Sequence, residues 1–411
     1  GDHRDLHSFP TRRSSRSLVT FPYLVRVLGT ERFGLVAFAM SLAQYFVVIT
    51  DYGFNLTGTR LVSINRNDNY MIRKIFYSIM YVKLFLLILC LAILTLLMGT
   101  ISLFSQNCSL YFFSFLAVVG SFISPVWFYQ GVERIRLIAI LNIIFRIIAT
   151  VAIFVFINNE ADYILTVIIQ TMGVVLSGLI STGIIIRQYR MYFIIPEFQY
   201  IKNIIMDGWT VFLSQVSVNL FSNSGIFILG IYTDAKTVGS YAIAEKIIKA
   251  AINMVAPICN SIFPRVGVLF KESWASAISF LARITKWGIA AFGLLSAVIY
   301  LCASPIVRLA SGNTDPSIVN LLRILSILPL TVFIDNMYGT QILLNIYKDR
   351  EFLLAIVSTG IFSLISAIIF IPYFGAYAAA SIFTASGILI MVLMIIPVRR
   401  ARISLIRGCE K

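Results

Sequence analysis

Apolar residues run along this chain in blocks of about 20, the length a helix needs to cross a bilayer. The blocks fall near 34–58, 75–99, 110–129, 137–157, 163–186, 209–230, 239–263, 287–307, 318–344, 351–371 and 375–397, and the end of a further one occupies 18–28. None alternates with period two, so a membrane β-barrel is excluded in practice. The pattern predicts an all-α polytopic membrane protein.

The block from Leu35 to about Gly58 follows a short charged turn, Gly29 to Gly34, and is not uniformly apolar. Gln44, Asp51, Asn55 and Thr59 share one helical face, and Arg60, Arg66, Arg73 and Lys74 follow. An apolar helix with one polar stripe ending in positive charge is a way to build the wall of an internal aqueous cavity. The design recurs 205 residues on: Gly34, Ala37, Ala39, Asn55 and Arg60 align without a gap on Gly239, Ala242, Ala244, Asn260 and Arg265, with Gln44 opposite Lys249. This predicts an internal repeat.

Shifting the clear span Trp209–Leu229 back by the same 205 positions places a helix over residues 4–24, where only its end is apolar. Residues 1–17, GDHRDLHSFPTRRSSRS, are polar, basic and lack an initiator methionine, and are read as a non-native segment truncating the first helix. The expected organisation is two six-helix bundles, 18–186 and 205–411 with a basic tail, joined by a linker at 187–204. Six spans per half leave both halves in the same orientation, so they are predicted to be related by a parallel pseudo-two-fold along the membrane normal.

Composition agrees with the span pattern. Hydrophobic residues make up 59% of the 411 and charged residues 12%, against about 25% charged in soluble proteins. The net charge of +15 would suggest nucleic acid, but its placement argues against that. One set of loops and the tail carry Arg60, Arg66, Arg73, Lys74, Arg134, Arg136, Arg187, Arg190, Lys202, Arg265, Lys271, Arg283, Lys286, Lys348, Arg350, Arg399, Arg400, Arg402, Arg407 and Lys411; the alternate loops carry only Arg26, Arg32, Lys236 and Arg308. That asymmetry puts the first set, and both termini, in the cytoplasm. Trp127, Trp209 and Trp287 at the cytoplasmic ends of spans are read as interface anchors. Five scattered cysteines and two histidines, both within the first seven residues, give no metal or redox pattern. No loop carries a phosphate-binding glycine motif or a paired-carboxylate site. A built-in ATPase is excluded, and no cofactor is expected.

Charges inside spans are costly and point to function. Arg146, mid-span with Asn142 and Thr150 on its face, is the leading candidate for an anion contact; a structural pair with Asp51 or Asp335 is the alternative. Lys83, Lys249 and Arg323 are further candidate substrate contacts. Lys83 could equally snorkel to headgroups, and Lys249 could be neutralised by Glu245 one turn before it. Asp51, Asp335 and Glu245 are candidate ion-coupling carboxylates. Hydrogen bonding between helices is the competing reading for both aspartates.

FPYLVRVLGTERFGLVAFA followed by QYFVVITDYGFNLTGTR resembles the start of Wzx-type O-antigen flippases, in the polysaccharide-transport branch of the superfamily that also holds MATE drug exporters and lipid II flippases. The resemblance covers Thr20–Asp68 and fits the span layout elsewhere. It implies a transporter, not an enzyme, in the bacterial inner membrane. Such a protein moves an undecaprenyl-diphosphate-linked oligosaccharide from the cytoplasmic to the periplasmic leaflet by rocking two bundles about a cavity, driven by a proton or sodium gradient. Membrane lipids, an O-antigen polymerase and a chain-length regulator are the implied partners; nucleic acid is not. The alternatives are a cation-coupled, MATE-like multidrug exporter, which an acidic cavity would favour, and a membrane-embedded polymerase or acyltransferase, which would need a long outer loop or a histidine site.

Overall fold

The computed structural model describes residues 17–408, and these form helices with no strand. The expectation for the N-terminal segment falls outside the described residues, except for Ser17. The helices are α1 (Ser17–Asp51), α2 (Phe54–Ile64), α3 (Asn69–Thr100), α4 (Ser102–Ser105), α5 (Cys108–Ile123), α6 (Val126–Gly131), α7 (Ile135–Phe156), α8 (Tyr163–Gln188) and α9 (Phe198–Tyr232), then α10 (Ala235–Ile252), α11 (Val255–Glu272), α12 (Trp274–Leu301), α13 (Ala303–Ser311), α14 (Pro316–Leu325), α15 (Leu328–Tyr338) and α16 (Asp349–Gly408).

Among the described residues nine helical stretches are long and apolar enough to cross a membrane, and a tenth, Phe198–Leu220 with Ser222–Tyr232, is bent by 56°. Thr20–Ile64 and Asp349–Arg399 are 45 and 51 residues long, well beyond the ~20 residues of one crossing. Both are broken at glycines, Thr20–Ile64 at Gly29 and again at Tyr52–Gly53, and Asp349–Arg399 at Gly375. Gly29 (φ 70°, ψ 168°) divides α1 and Gly375 (φ 55°, ψ −134°) divides α16, in backbone conformations that strain any residue with a Cβ. The chain is a multi-pass membrane protein, and its helices cover the apolar blocks, although the span expected at 287–307 is instead Trp274–Leu301. The predicted charged turn is shorter than expected: the break is confined to Gly29, and helix resumes at Thr30.

Contacts separate two compact units, one of residues 35–219 and one of residues 220–408 together with 17–34. The sequence division grouped 18–34 with the first half of the chain. In the structure those residues pack on the second. Phe21 and Phe33 lie under the Lys246 ammonium at 5.3 and 5.6 Å, and the Arg26 guanidinium donates to the Leu309 carbonyl. The closest approach involves Gly34 and Gly239. A Cβ on Gly34 would stand 1.9 Å from the Ala235 carbonyl oxygen, and one on Gly239 would stand 1.9 Å from that of Thr30. Thr30 and Ala235 are themselves 205 positions apart, so the two contacts are reciprocal.

The 35–219 unit has an aromatic core. Phe76, Trp127, Phe128 and Tyr129 pack with Ile72, Ile75, Ile79 and Val62. Trp127 is only 1% exposed, contrary to its reading as an interface anchor; it follows Pro125 into short α6, which lies against Gly58 of α2. Trp209 and Trp287 are exposed. The segment after α8 is strapped to α3: the Arg73 guanidinium donates to the Tyr189 carbonyl at 3.2 and 3.3 Å and stacks on Tyr192 at 4.1 Å. Lys74 pairs with Glu197 at 3.4 Å, and the Tyr77 hydroxyl donates to the Met191 carbonyl at 3.3 Å. Part of the basic patch thus also has a structural use.

In the 220–408 unit Phe292 stacks on Phe333 at 4.9 Å, among Val255, Cys259, Met337 and Met394. Asp234 caps α10, accepting from the Thr237 amide at 3.1 Å and its hydroxyl at 2.7 Å. Those two donors hold the Asp234 carboxyl below its ordinary pKa. The stabilisation is therefore present near neutral pH and is lost as pH falls through the lowered pKa.

Candidate functional site

In each unit a lysine within a spanning helix is paired with a carboxylate. In the 35–219 unit, Asp51 ends α1, and Tyr52 (φ 45°) and Gly53 (φ 77°) break the helix before α2. Lys83 reaches this break from α3. Its Nζ donates to Asp51 Oδ1 at 2.8 Å and to the Ser121 carbonyl of α5 at 2.9 Å. The Ser121 hydroxyl donates to the same carboxylate oxygen at 3.0 Å, and the Asn55 amide reaches Oδ2 at 3.4 Å. The Lys83 side chain is 2% exposed and that of Asp51 22%. Lys83 therefore does not snorkel. A buried ammonium is tolerated in an apolar bundle when paired and hydrogen-bonded in this way.

The polar stripe that held Asp51 is largely consumed by such bonds. The Thr59 hydroxyl lies 2.7 Å from the Asn55 carbonyl and 3.1 Å from both the Trp127 carbonyl and Gln130 Oε1, and Asn55 is on Asp51. Gln44 alone of the four is exposed. The stripe ties helices together within the unit more than it lines open space, because intramembrane polar groups find protein partners where they can.

In the 220–408 unit, Lys249 Nζ pairs with Glu245 Oε2 at 3.1 Å. It also donates to the Ser222 carbonyl at 3.0 Å and to Asn223 Oδ1 at 3.4 Å. Ser222 opens the second segment of bent α9, so Lys249 sits at the bend. The Glu245 side chain is 5% exposed and Lys249 32%. The Tyr241 hydroxyl, one turn earlier on α10, lies 3.5 Å from Glu245 Oε1.

The two centres share a ligand set: a carboxylate and a backbone carbonyl around an ammonium. Residues that the sequence sorted into substrate cations (Lys83, Lys249) and coupling acids (Asp51, Glu245) are brought together in pairs. The others stand apart from these pairs. Arg146 is half-buried on α7, one turn beyond Asn142, whose Oδ1 accepts from the Ser177 hydroxyl at 2.7 Å. Asp51, one of the two carboxylates offered to Arg146, is held by Lys83. Arg323 is exposed, its guanidinium 5.9 Å from the centre of the Tyr300 ring. Asp335 is half-buried on α15, just before the π-helical turn Gly339–Leu343, and its carboxylate has no hydrogen bond or ion pair among the described residues. Near it the buried Gln341 amide donates to the Cys259 carbonyl at 3.0 Å, while its Oε1 has no partner among the described residues. Sequence reasoning missed Ser121 and Tyr241. The i, i+4 spacing of Tyr241 and Glu245 could have found the second; nothing local marks the first. Among the described residues no cluster of three His, Cys, Asp or Glu side chains could hold a metal ion.

Comparison with known proteins adds to this geometry. The signature of the family described as "Polysaccharide biosynthesis protein" matches residues 16–270. A protein of Escherichia coli (strain K12) named "Putative O-antigen transporter" is 26% identical over 386 residues, covering 94% of this chain and 93% of that one. A Shigella dysenteriae protein of the same name is 24% identical over 385 residues, covering 92% and 94%. Among solved structures, an inward-facing multidrug resistance MATE transporter of the MOP superfamily superposes with a TM-score of 0.72 at 16% identity, over 96% of both chains. The lipid II flippase MurJ, in an inward closed conformation, superposes with a TM-score of 0.69 at 14% identity, over 94% of this chain and 88% of that one.

Proposed function

This chain belongs to the polysaccharide biosynthesis protein family, and from that premise we propose that it flips undecaprenyl-diphosphate-linked O-antigen repeat units from the cytoplasmic to the periplasmic leaflet of the bacterial inner membrane. It is a transporter, sharing its fold with MATE exporters and MurJ. The observation that carries the finer reading is end-to-end similarity, above nine-tenths of both chains, to two proteins named as O-antigen transporters. The Lys/Arg asymmetry of the loops supports cytoplasmic termini. The 205-residue repeat and the reciprocal Gly34 and Gly239 contacts support two six-span halves related by a parallel pseudo-two-fold, and an ion gradient drives their rocking.

A diphosphate carries about two negative charges and must cross a layer where unpaired charge costs several kcal/mol. Arg146 supplies a guanidinium fork at mid-span, which matches phosphate oxygens in pairs. Arg146→Ala is expected to abolish surface O-antigen in a flippase-null strain, and Arg146→Lys to restore part of it, at protein levels equal by immunoblot. Normal O-antigen from Arg146→Ala at normal abundance overturns the anion-contact role. Loss of the protein itself supports a structural role instead. A second reading, drug export, draws on the MATE likeness; resistance to cationic dyes conferred by the chain, with no O-antigen, would establish it.

A further inference from the structure

At Tyr241, one turn before Glu245, lies a small cavity of about 10 Å³, room for one water molecule. Four hydroxyls line it, those of Ser222, Ser224, Tyr241 and Ser363. Ser224 and Ser363 share a hydrogen bond of 3.3 Å between α9 and α16. Tyr241 is 1% exposed and bridges the cavity to Glu245 Oε1. Gly225 makes this possible: a Cβ there would stand 2.8 Å from the Tyr241 oxygen. A set of hydroxyls around a water-sized cavity thus leads to a buried carboxylate whose other oxygen holds a lysine. Nothing in the anion-contact role of Arg146 uses this arrangement.

We propose that Glu245 is the proton-binding site of the transporter, loaded through Tyr241 from this cavity, and that its protonation hands Lys249 to the diphosphate of the substrate. The inference rests on the diphosphate reading above. A metal cation is disfavoured at Glu245, because the Lys249 ammonium already lies between Oε2 and the Ser222 carbonyl and would repel it at about 3 Å. A proton is opposed by that ammonium as well, but it needs only the one oxygen that faces Tyr241, Oε1, and no further ligands. An O–H bond forms at Glu245 Oε1 as the Tyr241 O–H bond breaks, and a hydronium ion supplied to the cavity from bulk water gives Tyr241 its replacement proton and reverts to water. Lys249 remains an ammonium throughout. It loses its charged partner, and at 32% exposure on a flexible stem it is free to meet phosphate oxygens. One proton enters for one positive charge released to the substrate.

Few charges compete in this centre. On α10 itself, Lys246 is turned to the Phe21 and Phe33 rings. On the segment 17–34, Arg26 is bonded to the Leu309 carbonyl, Glu31 is exposed and Arg32 half-buried. α13 and α14 bring Arg308 and Arg323, both exposed. α15 brings Asp335, beside Cys259. α11 carries Arg265, Lys271 and Glu272 in its second half, and the described charged side chains of α16 (Asp349, Arg350, Glu351 and Arg399) sit toward its ends.

The test uses the full chain, purified in detergent, with farnesyl diphosphate as the probe and a pH indicator in weak buffer. The wild type should take up about one proton per diphosphate bound, and its affinity should rise as pH falls, by up to tenfold per pH unit. Glu245→Gln should bind several-fold tighter with no proton uptake and a flatter pH profile. Lys249→Met should bind at least about tenfold more weakly. Gly225→Ala keeps both charged groups but displaces the Tyr241 hydroxyl, and should slow the uptake in stopped flow. Unchanged proton uptake by Glu245→Gln overturns the proposal, and so does loss of diphosphate binding in that variant. If Glu245→Gln does not fold, Gly225→Ala decides: an unchanged uptake rate counts against the relay. Wild-type binding without any proton uptake overturns this inference alone, whereas a wild type that binds no diphosphate overturns the transport reading on which it rests.

Discussion

Lys83→Met is expected to lose most of the folded protein, and Lys83→Met combined with Asp51→Leu to recover it. The ammonium of Lys83 is enclosed by Asp51 Oδ1 and the Ser121 carbonyl at 2.8 and 2.9 Å. Removing it leaves a carboxylate inside an apolar bundle with one hydroxyl and one distant amide. Breaking a buried ion pair from one side costs about 3–5 kcal/mol, a large share of the ~5–15 kcal/mol that holds a typical domain. Replacing both partners with apolar groups removes the uncompensated charge, and such double replacements are commonly neutral or stabilising. Thermal unfolding in detergent, followed by intrinsic fluorescence, reads the effect. Lys83→Met melting with the wild type would show that the pair carries no structural weight. A double variant that folds but no longer restores O-antigen would assign Asp51 a part in coupling beyond holding Lys83.

Gly34→Ala and Gly239→Ala should each disrupt the protein, and to a similar degree. At both positions the new methyl would meet a backbone oxygen at 1.9 Å, and a backbone oxygen inside a helix cannot swing aside as a side-chain tip can. The helices must separate, which sacrifices the close contact that small residues make possible between membrane helices and any Cα–H···O contacts across it. Overpacking of this kind typically costs about 1–3 kcal/mol and occasionally more. Gly99→Ala, Gly183→Ala and Gly293→Ala are the controls, because a Cβ at each meets nothing within 4 Å; each should be neutral or slightly stabilising, since alanine is the better helix former. The measurements are monodispersity and melting temperature of the five variants. A strong effect at one of Gly34 and Gly239 and none at the other would contradict the reciprocal geometry.

The span layout was legible because a bilayer leaves helices little freedom: runs of apolar residues set the spans, and Gly29 and Gly375 sit where the turns had to be. Of the five identities that suggested a repeat, the pair Gly34 and Gly239 marks a close crossing in the structure and not the end of a turn. The candidate site was half legible. Glu245 and Lys249 are one turn apart, so local spacing foretold their pairing. Lys83 and Asp51 are separated by 32 positions and Ser121 lies a further 38 away, so only tertiary packing could join them. The same limit explains Trp127: its place at a span end is a local fact, its burial a consequence of α6 folding under Gly58. The position of residues 17–34 was not legible either, since the apolar faces of Phe21 and Phe33 say nothing about which unit will cover them.

The central claim is that the chain moves a diphosphate-linked oligosaccharide across a bilayer. It is tested most directly in liposomes reconstituted with the purified protein, carrying a fluorescent undecaprenyl-diphosphate-linked oligosaccharide in both leaflets, by following the fraction bleached by a membrane-impermeant reductant. Wild-type protein should raise the accessible fraction from about half toward all of the probe, Arg146→Ala should leave it near half, and a labelled phospholipid should stay near half with either protein. An accessible fraction that stays at half with the wild type, or a phospholipid that is scrambled as fast as the oligosaccharide, would contradict the account.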